Sequence, residues 1–352
     1  MADIMKVFSN AQAGLVTQQS DFSLSAIYDM IKQNSIEISP HYQRRDRWSA
    51  EKQSALIESF LLNVPVPPVY LSEDDYGTYS VIDGKQRLTA IFEFLGGKLK
   101  LKGLTKFPDL EGYRFDELPT QLKNALIIRP FIRVITLLQQ SEPSLKYEVF
   151  IRLNTGGEKL KPQEIRNVAY SGPLNDLLFE LSDSPFLKQQ MKIKSKTSTP
   201  YRNMDDVEMV LRFLAIEDRW EAFGRKLAPG MDEFMSENRK ELPDLFRDKF
   251  VRSLSGCESL WGDKAFQKPV DNNGWREQFI APLYDAQMVA IACLSDAELD
   301  TLKGRSQDVL TATRDLFESD IVFVKSVSQA TSDTSAINKR VSVLLELLKG
   351  MC

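Results

Sequence analysis

Residues 81–95, VIDGKQRLTAIFEFL, leave the chain little conformational choice. Val81 and Ile82 end an apolar run that reads as a strand. Leu88, Ile91, Phe92 and Leu95 then recur at i, i+3, i+4 and i+7, the face of an amphipathic helix, and Gly96-Gly97 ends it. Between the two lie Asp83, Gly84, Lys85, Gln86 and Arg87. A plain junction needs a turn and a cap; it does not need an acid, two cations and an amide. A strand that passes through glycine into a helix leaves N–H groups without intrahelical partners, and the helix dipole favours an anion there. Lys85 and Arg87 add formal positive charge, and Arg87 can fork onto two phosphate oxygens. Asp83 would be repelled by phosphate unless it holds a metal, positions a water or orients Arg87. Mg²⁺ bound through one carboxylate plus phosphate oxygens meets the first condition. The stretch therefore predicts a small anion site suited to the phosphates of a nucleotide. A plainer reading stays open beside it, with Asp83 as an N-cap and Arg87 as a surface cation.

Two further stretches offer anion-binding groups. YQRRDRW brings Gln43, Arg44, Arg45 and Arg47 to the start of a helix capped by Ser49; the alternative is a solvated charge run. FIRLNTGGEKL presents Arg152, Asn154 and the backbone of Gly156 and Gly157, or else is only a helix C-cap. No Walker A loop and no G-x-G-x-x-G is present. A rival chemistry is also written here. Asp83-Gly84-Lys85 is a carboxylate-x-lysine triplet of the kind that metal-dependent nucleases combine with an upstream acid, for which Glu73, Asp74 or Asp75 could serve.

Around the motif, SLSAIYDMIKQ reads as a short amphipathic helix and SIEIS as a strand. The prolines of NVPVPPVYLS force an extended segment into a strand, which should pair with GTYSVI as a hairpin across EDDYG. KLKLKGL alternates like a further strand, FIRVITL is strand-like, and SLKYEVFIRLN and KPQEIRNVAYS read as helices. From about residue 172 strand signals become scarce, and DVEMVLRFLAIEDRW, YDAQMVAIACL and INKRVSVLLELLKG are helical.

Composition removes several classes of function. A net charge of −4 and a pI of about 5.4 argue against a surface coated in basic charge for sequence-independent duplex binding, while leaving room for a local basic patch. Three separated cysteines, Cys257, Cys293 and Cys352, form no zinc spacing and no disulfide framework, which fits a reducing cytoplasm. The longest apolar stretch, NALIIRPFIRVITLL, is broken by Arg129, Pro130 and Arg133, and the N-terminus has no secretory pattern, so no membrane partner is expected. The single histidine, His41, excludes multi-histidine metal sites and His-Asn-His nuclease motifs. It has no G-x-S-x-G elbow to partner it.

Taken in order, YQRRDRW (42–48), LIESFLLNVPVPPVYL (56–71), VIDGKQRLTAI (81–91), VFIRLNTGGEKLKPQEIRNVAYSG (149–172), RNMDDVEMVLRFLAI (202–216) and DNNGWREQFIAPLYDA carry a resemblance. They are similar to the domain family at the N-terminus of GmrSD-type modification-dependent restriction enzymes, related to ParB and sulfiredoxin. In that family the motif usually reads Asp-Gly-Gln-Gln-Arg and is associated with nucleotide binding and hydrolysis. The resemblance implicates Asp83, Gly84, Gln86 and Arg87, with Gln43 and Arg44 nearby. Lys85 stands where the family has glutamine, and would strengthen phosphate attraction or alter turnover. Members that cut DNA unaided carry a C-terminal His-Asn-His domain. With no histidine after His41, cutting is expected to belong to a separate polypeptide or to be absent.

The expectation is thus an α+β protein. Residues 1–171 should form a small mixed ParB/sulfiredoxin-like sheet with helices that binds nucleotide, and residues 172–352 a mainly helical domain. The implied role is a cytoplasmic, NTP-binding and NTP-hydrolysing sensor or regulatory subunit of a bacterial anti-phage restriction system. It would act with a separate nuclease or other defence protein. Asp83, Gln86 and Arg87 are the expected catalytic residues. Gln43, Arg44, Gly84, Lys85, Arg87, Arg152 and Asn154 are the expected phosphate and nucleotide contacts, with Mg²⁺ or another divalent metal at Asp83. Two alternatives remain: a metal-dependent DNA-binding or DNA-nicking module using the same motif, and a scaffold that binds nucleotide without turnover. Oligomerisation is left open.

Overall fold

The computed structural model describes residues 2–38, 48–141, 143–153, 161–170, 172–222, 224, 226–240, 244–270 and 274–352. The chain divides into two compact units, Met1–Ala169 and Tyr170–Cys352. The architecture is α+β, with a five-stranded sheet in the first unit and a mainly helical second unit.

The first unit runs α1 (Ala2–Ala13), β1 (Thr17–Ser23), α2 (Leu24–Lys32), β2 (Ile36–Glu37), α3 (Ala50–Leu61), β3 (Val69–Asp75), β4 (Thr78–Asp83), α4 (Lys85–Leu95), α5 (Thr120–Ile128), β5 (Phe131–Leu137), α6 (Pro143–Leu153) and α7 (Pro162–Ala169). The sheet order is β1-β5-β3-β4-β2. The β3–β4 hairpin and the β1–β5 pair are antiparallel, whereas β3–β5 and β2–β4 are parallel. The hairpin is the one the prolines and EDDYG predict: three prolines keep residues 65–68 out of a helix, and the chain turns at Tyr76-Gly77, with Gly77 at a φ of +80°.

The core lies on one face of this sheet. Val69, Leu71, Val81, Ile132 and Val134 point toward Leu24, Ile27, Ile57, Phe60, Leu88, Ile91 and Phe94 of the covering helices. Each such side chain contributes about 1.5–3 kcal/mol by leaving water. The period-two alternation of β4 puts Ser80 and Ile82 on the opposite face, which α6 and α7 approach. Helix α4 is therefore fixed by its buried stripe, with Tyr28 stacking on Phe92 at 5.3 Å between ring centroids. It ends at Gly97 in the left-handed region, φ +70°, with the N–H groups of Gly96 and Gly97 donating to Phe92 and Phe94 carbonyls.

KLKLKGL is not a strand. Leu99 and Leu101 are buried and the intervening lysines exposed, as alternation predicts. Leu101 donates to Tyr113 O and accepts from Gly112 N at 2.9 and 2.8 Å, while Lys98 and Leu99 donate back to Glu93 O of α4, so no ladder forms. Edge strand β1 has no apolar alternation; its register opposite β5 holds it.

The second unit comprises α8 (Pro173–Ser182), α9 (Pro185–Gln190), α10 (Thr199–Arg202), α11 (Asp205–Arg219), α12 (Leu227–Asn238) and α13 (Asp244–Trp261), then a short hairpin of β6 (Pro269–Val270) and β7 (Gly274–Trp275). It closes with α14 (Ala281–Ala292), α15 (Asp296–Lys303), α16 (Ser306–Ser319), α17 (Ile321–Ser328) and α18 (Thr334–Lys349). Helix α14 is buried nearly all round, from Leu283 to Ile291, and packs on α11, α13 and α18. Among the described residues no helix is long and apolar enough to cross a membrane.

Candidate functional site

Strand β4 delivers Val81 and Ile82 into the interior and stops at Asp83, which sits opposite Tyr70 of β3. The next residue, Gly84, has φ +98° and ψ 8°, and α4 starts immediately after it. A Cβ on Gly84 would lie 2.7 Å from Val69 Cγ2 and 3.1 Å from Arg87 Nη2. Both the backbone conformation and the close approach require glycine here. Its absent side chain is what lets the Arg87 guanidinium lie back over the turn.

Arg87 is held from two sides. Its Nη2 donates to Asp83 Oδ2 at 2.7 Å and to the carbonyl of Pro68 at 3.1 Å. The Arg87 side chain is 14% exposed and that of Asp83 40%. Arg87 Nε is buried and has no hydrogen-bond partner among the described residues. Of the three tasks open to Asp83, the geometry serves one: the carboxylate orients Arg87. A buried N–H without an acceptor costs about 1–3 kcal/mol.

Among the described residues the turn offers a divalent ion one carboxylate, that of Asp83. Asp83 supplies the carboxylate and already receives a guanidinium, and among the described residues no group of three or more His, Cys, Asp or Glu could hold a metal. The acids named for a nuclease are elsewhere: Glu73 pairs across the hairpin with Tyr79, four residues along β4 from Asp83, or about 13 Å at strand rise. They are also engaged in building the hairpin. Glu73 accepts from Gln139 N and Gly77 N, Asp74 from Ser80 Oγ, and Asp75 from Tyr76 N.

Gln86 reaches away from the turn, and its Oε1 accepts from Trp48 N at 3.0 Å. That bond joins Trp48, the last residue of YQRRDRW, to the start of α4. Gln43 and Arg44 themselves lie outside the described residues, as do His41, Asn154, Gly156 and Gly157. Lys85 is half-buried in the first turn of α4. Arg152 is exposed near the end of α6 and pairs with Glu148 one turn earlier, at 3.0 Å. Nothing in that pair directs it to the turn.

The sequence reading passed over a polar set on the far face of the sheet. Lys146 of α6 is buried and donates from Nζ to Ser72 Oγ at 3.2 Å and Glu73 O at 3.0 Å. On α7, Gln163, Glu164, Arg166 and Asn167 are buried together, with Gln163 Nε2 donating to Asn167 Oδ1 at 2.9 Å. The signal lay in KPQEIRNVA itself: four polar residues in five positions flanked by apolar ones, with too little apolar surface for an ordinary covering helix.

Comparison with known proteins gives one match. A family model described as GmrSD restriction endonuclease, N-terminal domain, matches residues 24–171, which spans α2 to α7 and the whole of the turn. Neither the curated proteins nor the solved structures contain a match to the chain.

Proposed function

We propose, from the premise that residues 24–171 are a GmrSD restriction endonuclease N-terminal domain, that this chain binds and hydrolyses a nucleoside triphosphate at the Gly84 turn. It does so as the sensing or regulatory component of a restriction system whose cutting activity lies in a separate protein. The observation that carries the reading is Arg87: a guanidinium largely sealed from water, fixed by Asp83 and Pro68, with an N–H left unpaired beside a helix start.

In this reading Arg87 is the phosphate fork and Lys85 adds a second positive charge from the first helical turn. Asp83 acts through Arg87 as a positioning residue. Gln86 fixes the turn against Trp48, and Gln43 and Arg44 enter as phosphate contacts on the sequence motif alone. Arg152 and Asn154 enter as further phosphate contacts on the sequence motif alone. Phosphoryl transfer asks a protein chiefly for positioning and charge stabilisation, so this short set is chemically sufficient. Magnesium carried by the nucleotide would neutralise part of the phosphate charge.

The test is phosphate release from ATP, GTP, CTP and UTP, measured colorimetrically with the full chain. Arg87→Ala should lower the rate by about 10²-fold, the usual cost of one preorganised donor to a developing oxyanion. Asp83→Asn should fall short of that but clearly below the parent. Release that is unchanged in both variants ends the proposal. Calorimetric binding without release in the parent chain selects the scaffold alternative.

A further inference from the structure

Beyond the turn, the first unit holds a cleft of about 500 Å³ between the start of α3 and residues 98–102. Lys98, Lys100 and Lys102 line it and are exposed, while Leu99 and Leu101 between them are buried. Alternate residues of an extended segment stand about 6.6 Å apart, the scale of one nucleotide step along an extended strand. Three cations in series at that pitch share the cleft with two acids, Glu93 and Glu111, so the row of lysines, and not an overall excess of positive charge, is what fits a chain of phosphates.

The charges are only partly spoken for. Lys102 pairs with Glu51 at 2.7 Å, and Lys98 Nζ sits 5.9 Å from the centre of the Phe92 ring. Glu111, an acid on the wall, is taken up by the backbone N–H groups of Gly103 and Leu104. A second, independent observation comes from Gln53. It lines the cleft, is only 5% exposed, and its Nε2 donates toward Trp48 O at 3.5 Å. That leaves Oε1 as a buried acceptor with no partner among the described residues.

A ligand that satisfies this cleft needs phosphates for the lysines, a flat apolar body for the aliphatic floor and an N–H donor for Gln53 Oε1. Every nucleobase carries such a donor on its pairing edge, and in a duplex that edge is occupied. We infer that the cleft binds an unpaired nucleotide of a single nucleic-acid strand, with successive phosphates on the lysines and the base turned toward Gln53. This site meets the Gly84 turn at Trp48, whose carbonyl takes Gln53 and whose N–H goes to Gln86, but it uses none of the phosphate-binding groups of the turn and does not depend on nucleotide hydrolysis.

The experiment uses the full chain and a short fluorescein-labelled single-stranded oligodeoxynucleotide, in EDTA and without added nucleotide, so that failure of the triphosphate reading cannot mimic failure here. Anisotropy should show salt-dependent binding. Lys100→Ala should weaken it and flatten the plot of log affinity against log salt by about 0.7, the contribution of one phosphate on a single strand. Gln53→Met, which keeps the volume and removes the stranded acceptor, should weaken binding about tenfold with a thermal midpoint no lower than the parent. Should Gln53→Met fail to fold, the exposed Lys100→Ala decides the matter. No binding by the parent, equal affinity for the same sequence as duplex, equal affinity for free nucleoside monophosphate, or affinity untouched by both substitutions would each overturn the inference.

Discussion

The chain contains two aspartate–arginine centres that differ in almost everything except their chemistry. In the second unit Asp285 of α14 receives Arg212 of α11 through both Nε and Nη2, at 2.6 and 2.7 Å, and also receives Arg340 of α18. Asp285 and Arg340 are fully buried, and Arg340 Nη1 donates in addition to Thr331 O at 2.7 Å. Burial works against the charge of Arg212, but Asp285 offsets it and the pKa ends above its ordinary value. Arg340 is pushed below its ordinary value by burial, with the neighbouring Arg212 adding to the push. In the first unit Asp83 and Arg87 share one hydrogen bond at the end of a strand, and the carboxylate is 40% exposed. Among the described residues each centre leaves a guanidinium Nε without a partner. At Arg340 that N–H is sealed in, where no solute can reach it; at Arg87 the side chain keeps a window to solvent. Burial, more than the pair itself, separates a clamp between helices from a pair that stays partly open to solvent.

The largest expected effect tests the sealed centre. Asp285→Ala leaves two buried guanidinium groups without their carboxylate, which costs about 3–5 kcal/mol when a buried pair is broken from one side. Chemical denaturation should show the transition of the second unit moving by that amount or disappearing. Asp83→Ala should move the transition of the first unit by less than about 1 kcal/mol, the range of partly exposed ion pairs, while phosphate release falls. If Asp83→Ala proves as destabilising as Asp285→Ala, the two centres are alike and the turn is structural.

Gly84→Ala comes next. It asks a residue with a Cβ to hold φ +98° and places that atom 2.7 Å from Val69 Cγ2. Backbone strain of this kind costs about 1–3 kcal/mol. Combining it with Val69→Ala removes the steric part and leaves the backbone part, so the double variant should lose less than the sum of the singles. Additivity in denaturant unfolding would mean that the turn relaxes away from Val69, and that the contact does not position Arg87.

Much of this was legible in the sequence because it depends on local rules. VIDGKQRLTAI announces strand, glycine and helix in one line, and the prolines of NVPVPPVYLS with EDDYG announce the hairpin. What was not legible depends on partners distant in the chain. Gln86 reads as a catalytic residue from the motif, and nothing local announces that its carbonyl oxygen takes the N–H of Trp48, 38 residues away. Asp285 sits in YDAQMVAIACL, where one acid among apolar residues looks like a solvent-facing position; its two arginines come from 73 and 55 residues away. KLKLKGL gave the correct inward leucines and the wrong element, because alternation records burial and cannot supply a neighbouring strand.

The smallest effect concerns a third acid, Glu51, exposed at the start of α3. Its hydrogen bond from Lys102, helped by its own backbone N–H and by Ser49, lowers its pKa from 4.5 to about 2. A carboxylate whose folded-state pKa is depressed contributes stability that is present above its unfolded value and lost as pH falls through the folded one. The contribution of Glu51 is therefore full above about pH 4.5 and gone near pH 2. Because the pair is exposed, salt should screen it. Glu51→Gln should lower the thermal midpoint slightly at pH 6 and low salt, with the gap to the parent closing on acidification. The same change removes the partner of Lys102 and one negative charge from the rim of the cleft, so single-strand affinity should rise even as stability falls. A fall in both would mean that Glu51 holds Lys102 in place for the phosphate rather than competing with it, and would reverse the role assigned to that pair.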